Sequence, residues 1–172
     1  SGNGNNASQT ESNNYPTLSA SSDNGKSSIT FDGTADFMKI PDNPSVRLGS
    51  EDFGIFIVFK KNTSSTTSLL VKGKAGGSGS DYKRYHIAVN SGDIFSNEID
   101  DDSIYKAVES TSDFDGNFKI VFTERNGSFL NNHIDGPLAD SLNIGSDYGS
   151  IDETSSTDLY LGKPSYKNSN YF

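Results

Sequence analysis

Phe53-Gly54-Ile55-Phe56-Ile57-Val58-Phe59-Lys60 (FGIFIVFK) is the stretch on which the fold turns. Its residues are mostly β-branched or aromatic, and both alternations along it are apolar. Eight such residues bounded by polar turns predict a strand, and apolar character on both faces predicts a central strand covered on both sides.

Outward from this strand, short apolar runs recur between turn-forming clusters. Toward the C-terminus come Leu69-Leu70-Val71-Lys72 and then a loop at 73–81 (GKAGGSGSD). Arg84 to Asn90 alternates, with Tyr85, Ile87 and Val89 on one side and His86 and Ala88 on the other. Ser91-Gly92-Asp93 is a hairpin turn signal leading into Ile94-Phe95. Tyr105 to Val108 is a weaker strand, and Phe118, Ile120 and Phe122 share one side of the next. Asn126-Gly127 and Asp135-Gly136 bracket Phe129 to Ile134, and Leu159-Tyr160-Leu161 is closed by Gly162. Toward the N-terminus, Ile29-Thr30-Phe31 turns at Asp32-Gly33, and Phe37 to Ile40 is stopped by Pro41 and Pro44. Helical periodicity is absent, with room for one helical turn in 137–157. Short strands about every ten residues predict an all-β sandwich or barrel with very little helix.

Composition narrows the classes of function. A chain of 172 residues fits one domain, with its few apolar residues (31%) concentrated in the strands. There is no cysteine, so disulfides, thiolate metal sites and thiol nucleophiles are excluded. A formal net charge of -9 repels nucleic-acid backbones and attracts cations. No run approaches the ~20 apolar residues of a membrane helix, so membrane insertion is not expected. Residues 1–28 are polar and read as an extended arm laid on the domain through Tyr15, Pro16 and Leu18. The domain proper is expected over 29–172.

An ordered set of motifs carries a resemblance. SGNGNNA (1–7) with Gln9 and Pro16-Thr17, ITFDG (29–33) followed by DFMKIP (36–41), FGIFIVFK, Leu70 to Gly73, Phe118 to Thr123 with NHIDG (132–136), and LYLG (159–162) follow one another in the order seen in laminin-G-like jelly rolls. The chain thus resembles the concanavalin A-like superfamily. The resemblance implies a two-sheet antiparallel jelly-roll sandwich, an extracellular, cell-surface or virion-surface setting, and recognition of a glycan or surface polysaccharide. It also implies a strand before Ser1 and one after Phe172. The chain is therefore read as a product or fragment lacking its terminal strands, with an edge open to a partner. Self-association or assembly into a larger surface or virion structure is the alternative role.

Three kinds of chemistry have candidate residues. Glu98-Ile99-Asp100-Asp101-Asp102 resembles the E-x-D-x-E strand of glycosidases with this fold, although Asp102 replaces a Glu and the chain has no Trp for a sugar platform. Catalysis is the remote alternative, and the chain is expected not to be an enzyme. Calcium needs clustered oxygen ligands, which Asp100, Asp101, Asp102, Asp113 and Asp115 supply in turns. Asp147, Asp152 and Glu153 add further carboxylates. Glycans need aromatic faces beside polar groups, and Tyr82, Tyr85, Tyr105, Tyr148, Tyr160 and Tyr166 are the candidate rings. His86 and His133 have no ligand-spaced partner in sequence and are read as strand residues.

Overall fold

The computed structural model describes residues 4–23, 25–73, 83–101, 103–114, 116–146, 148–152 and 157–163. The strands are β1 (Thr17–Asp23), β2 (Lys26–Thr30), β3 (Met38–Ile40), β4 (Phe53–Lys60), β5 (Thr67–Gly73), β6 (Lys83–Asn90), β7 (Ile94–Asp101), β8 (Tyr105–Thr111), β9 (Phe118–Asn126), β10 (Phe129–Ile134), β11 (Leu138–Asn143) and β12 (Leu159–Leu161). Helix among the described residues is confined to single 3-10 turns at Ser12–Asn14 and Pro44–Val46. Every strand pairing is antiparallel.

Two sheets stack as a sandwich. One has the order β3-β12-β5-β6-β7-β8 and the other β11-β10-β9-β4, while β1 and β2 form a separate hairpin. The inner faces alternate as a half-buried sheet requires. Tyr85, Ile99 and Val108 of the first sheet meet Leu130 of the second, with Tyr148 and Ile151 closing that end. Ile87, Val89 and Phe95 meet Phe59, Val121 and Ile134 around Phe114. Phe59 stacks on Phe114 with centroids 5.7 Å apart.

A polar chain crosses the middle of this core. Asn97 Nδ2 donates to Thr123 Oγ1, whose hydroxyl donates to Asn132 Oδ1 at 3.0 Å. Asn132 Nδ2 in turn reaches the Val108 carbonyl at 3.1 Å and Ser110 Oγ at 3.2 Å. The amide nitrogens of Asn97 and Asn132 each find a partner in the opposite sheet, and that pairing fixes the register of one sheet on the other.

The expectation for Phe53–Lys60 is half overturned. The strand forms with the predicted bounds, but among the described residues it is the margin of the four-stranded sheet, bonded there to β9 alone. Phe53, Ile55, Ile57 and Phe59 pack inward, whereas Phe56 is 63% and Val58 54% exposed. Phe118 and Ile120 of β9 lie on the same outer face. Alternation identifies two apolar faces and says nothing of which one a second layer covers. Residues 17–30 also depart from a featureless arm, because they fold back as the β1–β2 hairpin. The preceding segment is tied down by a Ser8–Lys39 bridge and by Gln9 Nε2 donating to the Phe37 carbonyl at 3.0 Å. In place of a helical turn, 138–143 adds strand β11.

Gly73 closes β5 against β6 at φ +101°, where a Cβ would stand 2.1 Å from the Lys83 carbonyl oxygen. Only glycine fits that approach, so the start of β6 and the side chains that follow it are placed by this contact.

Candidate functional site

The polar side chains gather on the face of the six-stranded sheet turned away from the core. Cross-strand pairing lays them out in rows. Arg84, Asp100 and Tyr105 form one. Lys39, Tyr160, Val71, His86, Glu98 and Ala107 form the next. Ser68, Ala88, Ser96 and Glu109 form the third. Residues opposite one another on such a ladder have side chains close enough to interact.

Glu98 organises the centre. Its Oε2 is 3.0 Å from Arg84 Nη2 and 3.1 Å from His86 Nδ1, and Ser96 Oγ donates to its Oε1 at 3.4 Å. Burial pushes the carboxyl upward, but His86, Arg84 and Ser96 together outweigh it and hold Glu98 below the usual carboxylate range. His86 Nε2 lies 2.8 Å from Ser68 Oγ. The contact order Ser–His–Glu matches that of a nucleophilic relay. Here, however, Ser68 is 2% exposed and Glu98 is shared with a guanidinium. The Ser68–His86–Glu98 contacts satisfy buried polar groups, and the Ser68 hydroxyl is itself buried. A glycosidase general acid is kept protonated by a raised pKa, the opposite direction to the shift at Glu98.

Tyr105 is the exposed aromatic ring among the described residues of this face, 50% accessible, with the Arg84 guanidinium carbon 5.5 Å from its ring centroid. Asp100 is its partner across the ladder. An open ring is thereby set beside a guanidinium held in place by Glu98. At the other side of the sheet Tyr160 packs against Phe37 at 5.9 Å, and Lys163 Nζ stands 3.7 Å from the Phe37 centroid. Burial lifts the Tyr160 phenol and lowers the Lys163 amine.

The structure separates the predicted rings. Tyr105 and Tyr160 share this outer face. Tyr85 and Tyr148 are core residues, contrary to a role as sugar platforms: their hydroxyls donate to the carbonyls of Val46 at 3.0 Å and Ile104 at 2.7 Å. Burial pushes both phenols well above their ordinary range. Tyr82 and Tyr166 lie outside the described residues.

The acidic candidates are also parted. Asp100 and Asp101 end β7, while Asp113 follows the far end of β8, seven residues or ~23 Å of extended chain away. The Asp101 carboxylate accepts from the backbone N–H groups of Ser103, Ile104 and Gly149. Burial pulls its pKa up, but these donors prevail and lower it. It stitches the β7–β8 turn to the 149 loop. Among the described residues no three acidic or histidine side chains converge as a metal site. Asp102, Asp115, Asp147 and Glu153 lie outside the described residues.

Sequence reasoning missed Arg84, His86, Glu98 and Ser68 as one cluster. A signal existed: His86 and Glu98 lie six residues either side of Gly92, the centre of the predicted turn, so a regular hairpin pairs them. Ser68 could not be found this way, since a bulge between Ser68 and Leu70 shifts its register.

No protein-family model matches the chain. No curated protein matches it either. Solved structures do. The Ruminococcus gnavus IT-sialidase CBM40 bound to α2,3-sialyllactose shares 18% identity, with 70% of this chain and 68% of that one covered and a TM-score of 0.58. The same module bound to α2,6-sialyllactose gives 17% identity, 70% and 69% coverage, and 0.58. Domains LG4-5 of the mouse laminin α1 chain give 16% identity over 73% of this chain and 31% of that chain, with a TM-score of 0.59. The fold is therefore a jelly-roll sandwich like those of the CBM40 module and the laminin LG domains, as the motif order implied.

Proposed function

We propose that the chain is a non-catalytic glycan-recognition module that binds through the outer face of its six-stranded sheet, with Tyr105 as the stacking platform and Arg84 and Asp100 as polar contacts. The observation that carries this reading is the half-exposed Tyr105 ring beside a guanidinium whose position Glu98 fixes. Sugars present C–H faces to rings and hydroxyls to paired donors and acceptors, and a pre-set polar group loses little freedom on binding. The neighbouring CBM40 structures hold sialyllactose. The likeness brings that acidic glycan class forward as the first to try. An extracellular or surface setting goes with this reading. Among the described residues no helix is long and apolar enough to cross a membrane.

A glycan array that includes sialylated oligosaccharides, read with and without millimolar calcium, tests the proposal. Binding that is lost in Tyr105→Ala supports it; silence from the folded domain under both conditions overturns it. A calcium requirement would bring in Asp100 and the neighbouring acidic turn.

A further inference from the structure

Four cross-strand pairs of β4 and β9 build the outward face of the four-stranded sheet: Gly54 with Glu124, Phe56 with Phe122, Val58 with Ile120, and Lys60 with Phe118. On the neighbouring strands His133 stands beside Phe122, and Leu138 beside His133. Phe56, Val58, Phe118, Ile120 and Leu138 are 43% to 63% exposed. Together they open roughly 500 Å² of apolar surface, as much as the largest patch on a free monomer. The face is levelled at Gly54, where the Phe122 ring lies 2.8 Å from the place a Cβ would take. A level apolar sheet face suits a second sheet packed about 10 Å away.

Charge selects the occupant. A net charge of -9 opposes association with a second copy unless the meeting surfaces are themselves neutral. In these four rows the charged groups are Lys60 at one end and Glu124 at the other, six residues or ~20 Å apart along the strands. Both have intrachain contacts that place them. Lys60 Nζ lies 5.7 Å from the Phe118 centroid. Glu124 Oε1 accepts from Asn131 Nδ2 at 3.1 Å and stands 3.6 Å from His133 Nε2. Asp135, at the border of the face, is paired with Lys119 at 2.9 Å.

We propose that a second copy of this chain docks on this face, the two four-stranded sheets stacked with their strands antiparallel about a two-fold axis in the interface. The axis passes between the Phe56–Phe122 and Val58–Ile120 rows. It carries the Lys60 end of one copy onto the Gly54–Glu124 end of the other. Each Lys60 then enters the space above Gly54 and meets Glu124 of the second copy. The opposite strand direction would set Lys60 against Lys60. A two-fold interface of this kind is self-complementary, as closed dimers require. Roughly 500 Å² of apolar surface from each copy puts the pair at the lower bound of a specific interface, so a dissociation constant of about 10–100 μM is expected. The inference does not rest on the glycan reading. The two Tyr105 faces would point away from each other, each free for its own ligand.

Sedimentation of the 172-residue chain from about 5 μM to 1 mM, at about 50 mM salt, tests this. The expected result is passage from 18.5 kDa to twice that mass. Val58→Asp, at an exposed position, is expected to keep the melting temperature and to stay a monomer. Lys60→Glu and Glu124→Lys should each weaken the dimer about tenfold or more. Mixing these two single variants should restore it, because each altered charge then meets its opposite across the interface. Repair within one chain cannot produce that result at a separation of ~20 Å. A monomer at every concentration overturns the proposal. Broadening of the Val58 and Ile120 methyl signals by a soluble nitroxide then assigns the face: shielded methyls give it to a segment of the same chain, open ones to a different protein. A dimer that survives Val58→Asp places the contact elsewhere and overturns the proposal. Single variants that weaken the dimer but are not repaired by mixing overturn the antiparallel arrangement.

Discussion

Glu98 stands directly across the β6–β7 ladder from His86, and its Oε2 lies 3.1 Å from His86 Nδ1 while Arg84 Nη2 approaches the same oxygen at 3.0 Å. One carboxylate thereby orders a histidine inside the sheet and an arginine beside an exposed ring. The packing of the sheet and the proposed binding face depend on the same group.

Removing that charge takes the Glu98 carboxylate away from both the nearly buried Arg84 guanidinium and the His86 ring. Glu98→Gln is therefore expected to cost about 3 kcal/mol in urea denaturation, the range seen when one member of a buried pair is lost. A loss below about 0.5 kcal/mol would show that the pair contributes nothing net.

The rings predicted as platforms separate by the same kind of measurement. Tyr85→Ala empties a core position and is expected to cost about 3–5 kcal/mol. Tyr105→Ala, at a half-exposed position, is expected to stay within about 1 kcal/mol while weakening glycan binding at least about tenfold.

Asn132 links the two sheets through Thr123, Val108 and Ser110. Asn132→Ala strands these partners inside the core, and a loss of about 2 kcal/mol is expected. Thermal melts of Asn132→Ala and Thr123→Val, alone and combined, should be markedly non-additive because one network is being cut twice.

The buried phenols set the alkaline limit of stability. Tyr85 and Tyr148 titrate higher in the folded chain than unfolded, first because burial disfavours the phenolate and then because acidic neighbours repel it. Their contribution is fully present below the unfolded pKa of ~10 and is lost as pH rises beyond it. Carboxylates act in the opposite direction. Asp42, held low by Arg47 and Lys72, contributes stability above pH ~4 that drains away as pH falls. Melting temperature against pH should show both limbs, and Tyr148→Phe should shallow the alkaline one.

Much of this was legible before the structure. The turns at 91–93, 126–127 and 135–136 and the strands at 53–60 and 129–134 follow from local chemistry, because turn residues and alternation act over a few positions. What alternation could not supply was layer order. Phe56 and Val58 look like core in sequence and face outward, since burial depends on what lies above the sheet. Tyr85, Tyr105 and Tyr148 are alike as letters; register places Tyr85 inside and Tyr105 outside, and the loop after β11 carries Tyr148 into the core. The relation of Arg84 and Glu98 to Tyr105 is a three-strand relation, beyond the reach of any single run of residues.

The most direct measurement is an amide NMR titration of the labelled domain with the strongest glycan from the array. The account predicts shifts concentrated at Arg84, Glu98, Asp100 and Tyr105, with the outer face of the four-stranded sheet around Phe56 and Ile120 unmoved. Shifts confined to that other face or to the 126–128 turn, with Tyr105 silent, would contradict it.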